Sequence, residues 1–253
     1  MRIPAIGILY EIFAKLERRL GFLCGKGYGT ATIAQEVRMA TFLLGRSPRL
    51  AVDIGGNIGD YSAELLRSNP ELELHIFEPS TRNIKIMSER FAGGSRIKLE
   101  QSALSDSVGR MTLFADRDGS GLGSLTDRKL DHLDIRFEAM EQVEVRRFED
   151  HYNTFLARRI IDIVKIDVEG YELMVLRGFG ESISKIRVIQ FELGGANIDT
   201  KVFFRDFWRF FEKAGFSLYR ITPLGVMSID RYLESEEFFT IANFIAVNKN
   251  SLD

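Results

Sequence analysis

From residue 50 onward the chain alternates short, nearly continuous apolar runs with stretches in which apolar residues recur every three or four positions. Runs of the first kind suit strands buried on both faces, and their alternation with helical periods is the pattern of parallel β-α-β units. The reading gives strands at Leu50–Ile54, Leu72–Phe77 and Ile97–Gln101, with helices at Asp60–Ser68 and Thr81–Phe91 between them. Met111–Ala115 and Val143–Arg147 read as further strands around a polar, glycine-rich loop, Asp116–Thr126. The alternation resumes with a strand at Ile160–Ile166, a helix around Tyr171–Arg177, a strand at Ile186–Leu193 and a helix at Val202–Ala214. Phe216–Ile221 and Thr240–Val247 close the chain as strands with no helix between them, which favours antiparallel pairing. The predicted fold is α/β: a seven-stranded, mostly parallel sheet with one antiparallel strand and helices on both faces.

Residues 1–48 read as an N-terminal helical extension to a domain at 49–253, with helices over residues 3–44 broken at Gly25–Gly29 and restarting at Thr30. In the first helix Leu9, Ile12, Phe13, Leu16 and Leu20 share one face opposite Lys15, Arg18 and Arg19. That pattern predicts a helix packed on the domain; the alternative is a peripheral helix that lies on a membrane surface with basic flanks. The stretch Ile3–Ala14 contains Glu11 and is shorter than the ~20 apolar residues of a membrane span.

Composition narrows the field. The chain is 45% hydrophobic and 28% charged, as globular domains are. With 34 basic and 36 acidic residues it has no excess positive charge to attract nucleic acid. One cysteine, Cys24, supports neither an internal disulfide nor a cysteine-based metal centre, which suits a reducing, cytoplasmic setting. Homo-oligomerisation is left open.

The chemistry concentrates at strand ends. Asp53-Ile54-Gly55-Gly56-Asn57-Ile58-Gly59 joins the first strand to its helix, where open α/β sheets bind ligands. A dinucleotide fingerprint starting at Gly55 would need glycine at 57 and 60, but Asn57 and Asp60 stand there, and Asp60 would repel a pyrophosphate. The loop suits a nucleoside with a cationic, amino-acid-like tail. Asp53 is placed to face an ammonium group, Glu78 to accept from both ribose hydroxyls, and Ser102 and Ala103 to edge an adenine. S-adenosylmethionine (SAM) has all three features. Gly55, Gly56, Asn57 and Gly59 complete this expected cofactor site.

A second constellation is Lys165-Ile166-Asp167-Val168-Glu169-Gly170, whose three charged residues share a face of an extended chain. Glu192, on the next strand, reaches the same rim. Unpaired buried charge is costly, so these groups form either a site or a local ion-pair network.

Together with Phe77-Glu78-Pro79, Ala103-Leu104-Ser105-Asp106, Gly123-Ser124-Leu125 and Tyr171-Glu172 followed by Val175-Leu176-Arg177-Gly178, these segments resemble the FkbM family of SAM-dependent methyltransferases. The resemblance spans about residues 50–194 and implies a class I, Rossmann-like fold and O-methyl transfer to a hydroxyl of a sugar, glycan or related small molecule. A softer likeness of the C-terminal part points to polysaccharide modification. In this reading Asp167, Glu169 and Glu192 act as general base, or Asp167 and Glu192 hold a Mg²⁺, while Lys165 orients a carboxylate. Two features depart from the family. Gly56 stands where alanine is usual, which should only loosen the turn, and Arg147-Phe148-Glu149-Asp150 replaces a Thr-Leu-Asp-type segment. The competing readings are a SAM-binding protein without catalysis and an NAD-linked sugar oxidoreductase.

Overall fold

The computed structural model describes residues 4–29 and 32–250. Ile3 and the expected helix start at Thr30 lie outside them. Helices α1 (Pro4–Leu23) and α2 (Ile33–Leu44) precede β1 (Leu50–Ile54), α3 (Asp60–Ser68), β2 (Glu73–Phe77), α4 (Thr81–Arg90) and β3 (Ile97–Glu100). Then come β4 (Ala103–Leu104), β5 (Gly109–Ala115), β6 (Ala139–Arg146), α5 (Phe148–His151), β7 (Ile161–Ile166), α6 (Glu172–Arg177) and β8 (Ile186–Leu193). The chain closes with α7 (Ala196–Thr200), α8 (Phe204–Ala214), β9 (Phe216–Thr222), β10 (Gly225–Ile229) and β11 (Ala242–Asn248).

The main sheet runs β10-β9-β11-β8-β7-β1-β2-β3. From β8 to β3 every pairing is parallel, while β11 runs antiparallel to both β8 and β9. This is the class I Rossmann-like arrangement, with β9 and β11 antiparallel as expected. One strand of this sheet was not foreseen, nor was the two-residue β4. Gly225–Ile229 is a short edge strand whose Met227 and Ser228 are exposed, so it lacks the apolar run that marks a buried strand.

The sheet is covered on both faces. Val37 and Ala40 of α2, Tyr61 and Leu65 of α3 and Met87 of α4 pack with Ala51, Leu74, Ile163 and Val188. On the other face Phe148, Leu173, Leu176, Phe204, Phe207 and Phe211 pack with Val52, Ile54, Val164, Ile166 and Phe191. The phenylalanines of α8 are therefore mainly core. A second sheet, β4-β6-β5, stands apart as a wall beside the β1–β3 strand ends.

Helix α1 does not pack on the domain. Leu9, Ile12, Phe13, Leu16 and Leu20 are all exposed, from 50% at Leu16 to 63% at Phe13. Amphipathicity marked the face, but among the described residues no surface covers it. Among the described residues no helix is long and apolar enough to cross a membrane.

Candidate active site

A cavity of about 690 Å³ opens at the C-terminal ends of β1, β2 and β7. Its floor includes Ile54, Gly55, Asn57, Phe77 and Glu78; Ser102, Ala103 and Leu104 form one side, and Asp167, Val168, Glu169 and Tyr171 the other. Leu113, Ala115, Ala139 and Met140 of the small sheet wall it, and Gly119, Ser120, Gly121, Gly123 and Leu125 contribute from the glycine-rich loop. That loop is tied down. Ser124 bridges to Phe114, and its hydroxyl donates to the Glu169 carbonyl at 2.8 Å.

Glu78, at the end of β2, is 5% exposed. Its carboxylate accepts from the backbone N–H groups of Asn57 (2.8 Å) and Ser80 (2.9 Å). Burial pushes its pKa up to about 7, against the pull of those hydrogen bonds. Two neighbouring groups lack partners: Ser102 Oγ and Asn83 Oδ1 are buried, unbonded and on residues that line this cavity. Buried polar atoms are normally satisfied. A carboxylate beside a free hydroxyl and a free amide oxygen in a cavity of this size fits a nucleoside carrying a diol and an adenine. The chain's donor and acceptor set therefore suits SAM.

Four of the eight expected cofactor contacts do not line the cavity as read, or line it for a different reason. Asp53 sits on the opposite face of β1 from Ile54, because side chains alternate along a strand. It accepts from Ser62 Oγ at 2.6 Å, 1% exposed, and burial pushes it up to about 6. Gly56 and Gly59 are also absent from the lining. A Cβ at 56 would lie 2.4 Å from Ile76 Cγ2, so glycine there makes room for β2 rather than loosening the turn. Gly55 lines the cavity, but its bare Cα admits protein rather than ligand: a Cβ would lie 1.8 Å from the Asp167 carbonyl oxygen. Asn57 lines it with a left-handed backbone, φ 49°.

The charged rim is brought together at the ends of β7 and β8. Carboxylate oxygens of Asp167, Glu169 and Glu192 lie within 4.8 Å of one another. Only Asp167 and Glu169 line the cavity; Glu192 and Lys165 sit behind them. Lys165 Nζ is 3.4 Å from Asp167 Oδ2 and 3.4 Å from Glu36 Oε2, and donates to Asn243 Oδ1 at 3.1 Å. Its pKa is raised although burial opposes this, because Asp167, Glu36 and Glu192 surround it, so it remains a cation. Burial, reinforced by the charge of Asp167, pushes Glu192 well above the carboxylate range and Glu169 up to about 8. Arg128 Nη1, 2.5 Å from Glu169, pulls the latter back.

Lys165 belongs to a buried polar layer that the sequence did not reveal. Asp53, Lys165 and Gln190 are cross-strand neighbours in register. Gln190 Nε2 donates to Glu36 Oε2 at 2.6 Å, and Tyr61 Oη donates to Gln190 Oε1 at 2.9 Å. Arg128, Glu36, Tyr61 and Asn243 were missed because nothing in their local sequence marks them. His75 and His151 instead pair with each other, ring nitrogens 2.9 Å apart, away from the cavity lining. The atypical Arg147–Asp150 segment also lies off the cavity. Phe148 is core, and Glu149 pairs with Arg147 while accepting from the Glu181 N–H.

Comparison with known proteins bears on this geometry. The family model described as a methyltransferase FkbM domain matches residues 53–218. The 2-O-methyltransferase NoeI of Sinorhizobium fredii is 31% identical over 166 residues, 61% of this chain and 67% of that protein. Methyltransferase sdnD of Sordaria araneosa is 29% identical over 155 residues, 51% of this chain and 60% of that protein. The chain thus spans about two thirds or less of these relatives' lengths. Among solved structures, the N-methyltransferase NodS from Bradyrhizobium japonicum in complex with S-adenosyl-L-homocysteine aligns over 86% of each chain, with 10% identity and a TM-score of 0.46.

Proposed function

The chain belongs to the FkbM family of SAM-dependent methyltransferases, and from that premise we propose that it methylates a hydroxyl of a sugar, glycan or related natural-product acceptor, with Asp167 as general base. The observation that carries this is one cavity holding both a nucleoside-type site at Glu78 and Ser102 and a cation-backed carboxylate at Asp167. The relative named a 2-O-methyltransferase supports oxygen as the acceptor atom. Dependence on SAM, an intracellular cofactor, supports a cytoplasmic setting.

Bound SAM supplies a sulfonium methyl that is already activated, so the chain's tasks are positioning and proton removal. Glu78 offers its carboxylate to the ribose hydroxyls, and Ser102 its hydroxyl to the base. Asp167 would take the proton of the acceptor hydroxyl whose oxygen receives the methyl, with S-adenosylhomocysteine released as the methyl–sulfur bond breaks. Lys165, 3.4 Å behind it, holds the carboxylate in place. Ser124 and Arg128 brace Glu169 from the loop side, through its backbone and its carboxylate respectively.

A second reading is favoured by the 4.8 Å clustering of Asp167, Glu169 and Glu192. These hard oxygen donors would suit Mg²⁺, which would acidify the acceptor hydroxyl. Activity lost to a chelator and restored by Mg²⁺ favours the metal; indifference to the chelator favours the base.

Calorimetry should show SAM binding and no NAD binding, and mass spectrometry should show a methyl gain on a hydroxylated sugar from a glycan panel. Methylation confined to amines would overturn the oxygen assignment. Glu78→Ala should weaken SAM binding by roughly 1.5–3 kcal/mol, the scale of hydrogen bonds to a charged group. Unchanged affinity in a folded variant would remove Glu78 from the cofactor site.

A further inference from the structure

The first helix leaves a surface that the catalytic site does not use. Its root is fixed: Arg220, 2% exposed, donates from Nε to the Cys24 carbonyl at 2.8 Å, and Lys26 Nζ lies 4.8 Å over the Phe238 ring. Its shaft is bare. Leu9, Ile12, Phe13, Leu16, Leu20 and Leu23 are exposed and fall within an arc of about 100°. Lys15, Arg18 and Arg19 occupy the adjoining sector, all exposed. With Phe22 and Leu23 they line an open cleft of about 490 Å³. Among the described residues none of these three cations is ion-paired, although Glu11 and Glu17 are on the same helix.

A second copy of the helix is the competing occupant. A coiled-coil seam of alternating four- and three-residue spacing does run through Leu9, Phe13, Leu16, Leu20 and Leu23, but it leaves Ile12 and Phe22, both exposed, outside the paired positions. Those two side chains and the adjoining cations fit a bilayer instead. An apolar arc enters the acyl boundary, aromatic Phe13 and Phe22 suit the interface, and adjoining unpaired cations meet anionic headgroups. We propose that α1 is a docking surface for an anionic lipid bilayer, on which the helix lies in the interface plane. This is independent of the methyl-transfer reading.

Flotation of the full chain tests it, with phosphatidylcholine vesicles made with or without about one third phosphatidylglycerol. The protein should float with the anionic vesicles at about 0.1 M salt and much less at about 0.5 M, where exposed charges are screened. Replacing Lys15, Arg18 and Arg19 together by Gln should lower partitioning at least roughly tenfold, at about fivefold per cation. Leu16→Glu with Leu20→Glu should abolish it. Thermal melts and SAM binding should match the unmodified chain in both variants, since neither α1 face reaches the cavity. Failure to float with anionic vesicles, or equal flotation by the variants, overturns the proposal. So does a concentration-dependent dimer that the Leu16/Leu20 variant disrupts while vesicle binding is absent, which would assign the face to a second copy.

Discussion

Asp167→Asn should slow methyl transfer at least ~10²-fold, the low end of what general base catalysis contributes, while SAM affinity stays within a few-fold. Asparagine keeps the size and much of the hydrogen bonding but cannot take a proton. Asp167 is the right place for the loss because its side chain, 36% exposed, lines the cavity with Lys165 behind it. The proposed cofactor contacts, Glu78 and Ser102, lie elsewhere in the cavity lining and are untouched. Glu192→Gln separates base from metal. Burial already drives Glu192 toward its protonated form, which glutamine mimics, so under the base mechanism this change should cost far less than Asp167→Asn. Equal losses at the two positions would favour shared coordination of a metal. Normal turnover by Asp167→Asn, measured with an acceptor that the unmodified chain methylates, would make the rim structural.

The second large effect is expected at Gly55. Its φ is 83°, and an added Cβ would lie 1.8 Å from the Asp167 carbonyl oxygen and 2.8 Å from its carbon. Backbone on both sides makes relief difficult, because the Asp167 N–H donates to the Ile54 carbonyl at 2.9 Å and Gly55 N–H to the Phe77 carbonyl at 2.9 Å. Gly55→Ala must push β1 from β7 at the place where the glycine loop and Asp167 meet. Adding left-handed strain to the displaced strand contact, destabilisation on the order of 3 kcal/mol or more is expected in urea unfolding. SAM binding should fall with it. Gly56→Ala should be milder, since the atom it meets at 2.4 Å is a side-chain methyl, Ile76 Cγ2, rather than backbone, and Gly56 is not in the left-handed region. A Gly55→Ala protein as stable as the unmodified chain would show that the junction yields more easily than its packing implies.

Legibility differed by the range of the interactions. Leu50–Ile54, Asp60–Ser68 and Ile186–Leu193 match their expected boundaries because an apolar run or a helical period is a local signal. The site's position was legible for a related reason: parallel strands deliver their C-terminal loops to one edge, so Glu78, Ser102 and Asp167 had to meet there. The short, exposed β10 carried no such signal.

By itself, then, the sequence determined the order of strands and helices, the ligand edge of the sheet and the residue types offered there. Tertiary structure alone decided which of those side chains face the cavity. A strand's alternation turns Asp53 inward to Ser62, and close packing gives Gly55 to the Asp167 carbonyl. It also decided what stands behind the Asp167 carboxylate. Lys165 meets Glu36 across 129 residues and Asn243 across 78, and Gln190 meets Glu36 across 154. Such contacts leave no local pattern, because each partner needs only to be polar and the fold supplies the coincidence. Helix α1 is the converse case: its amphipathic face is written in the sequence, but only packing could show that the chain leaves it bare.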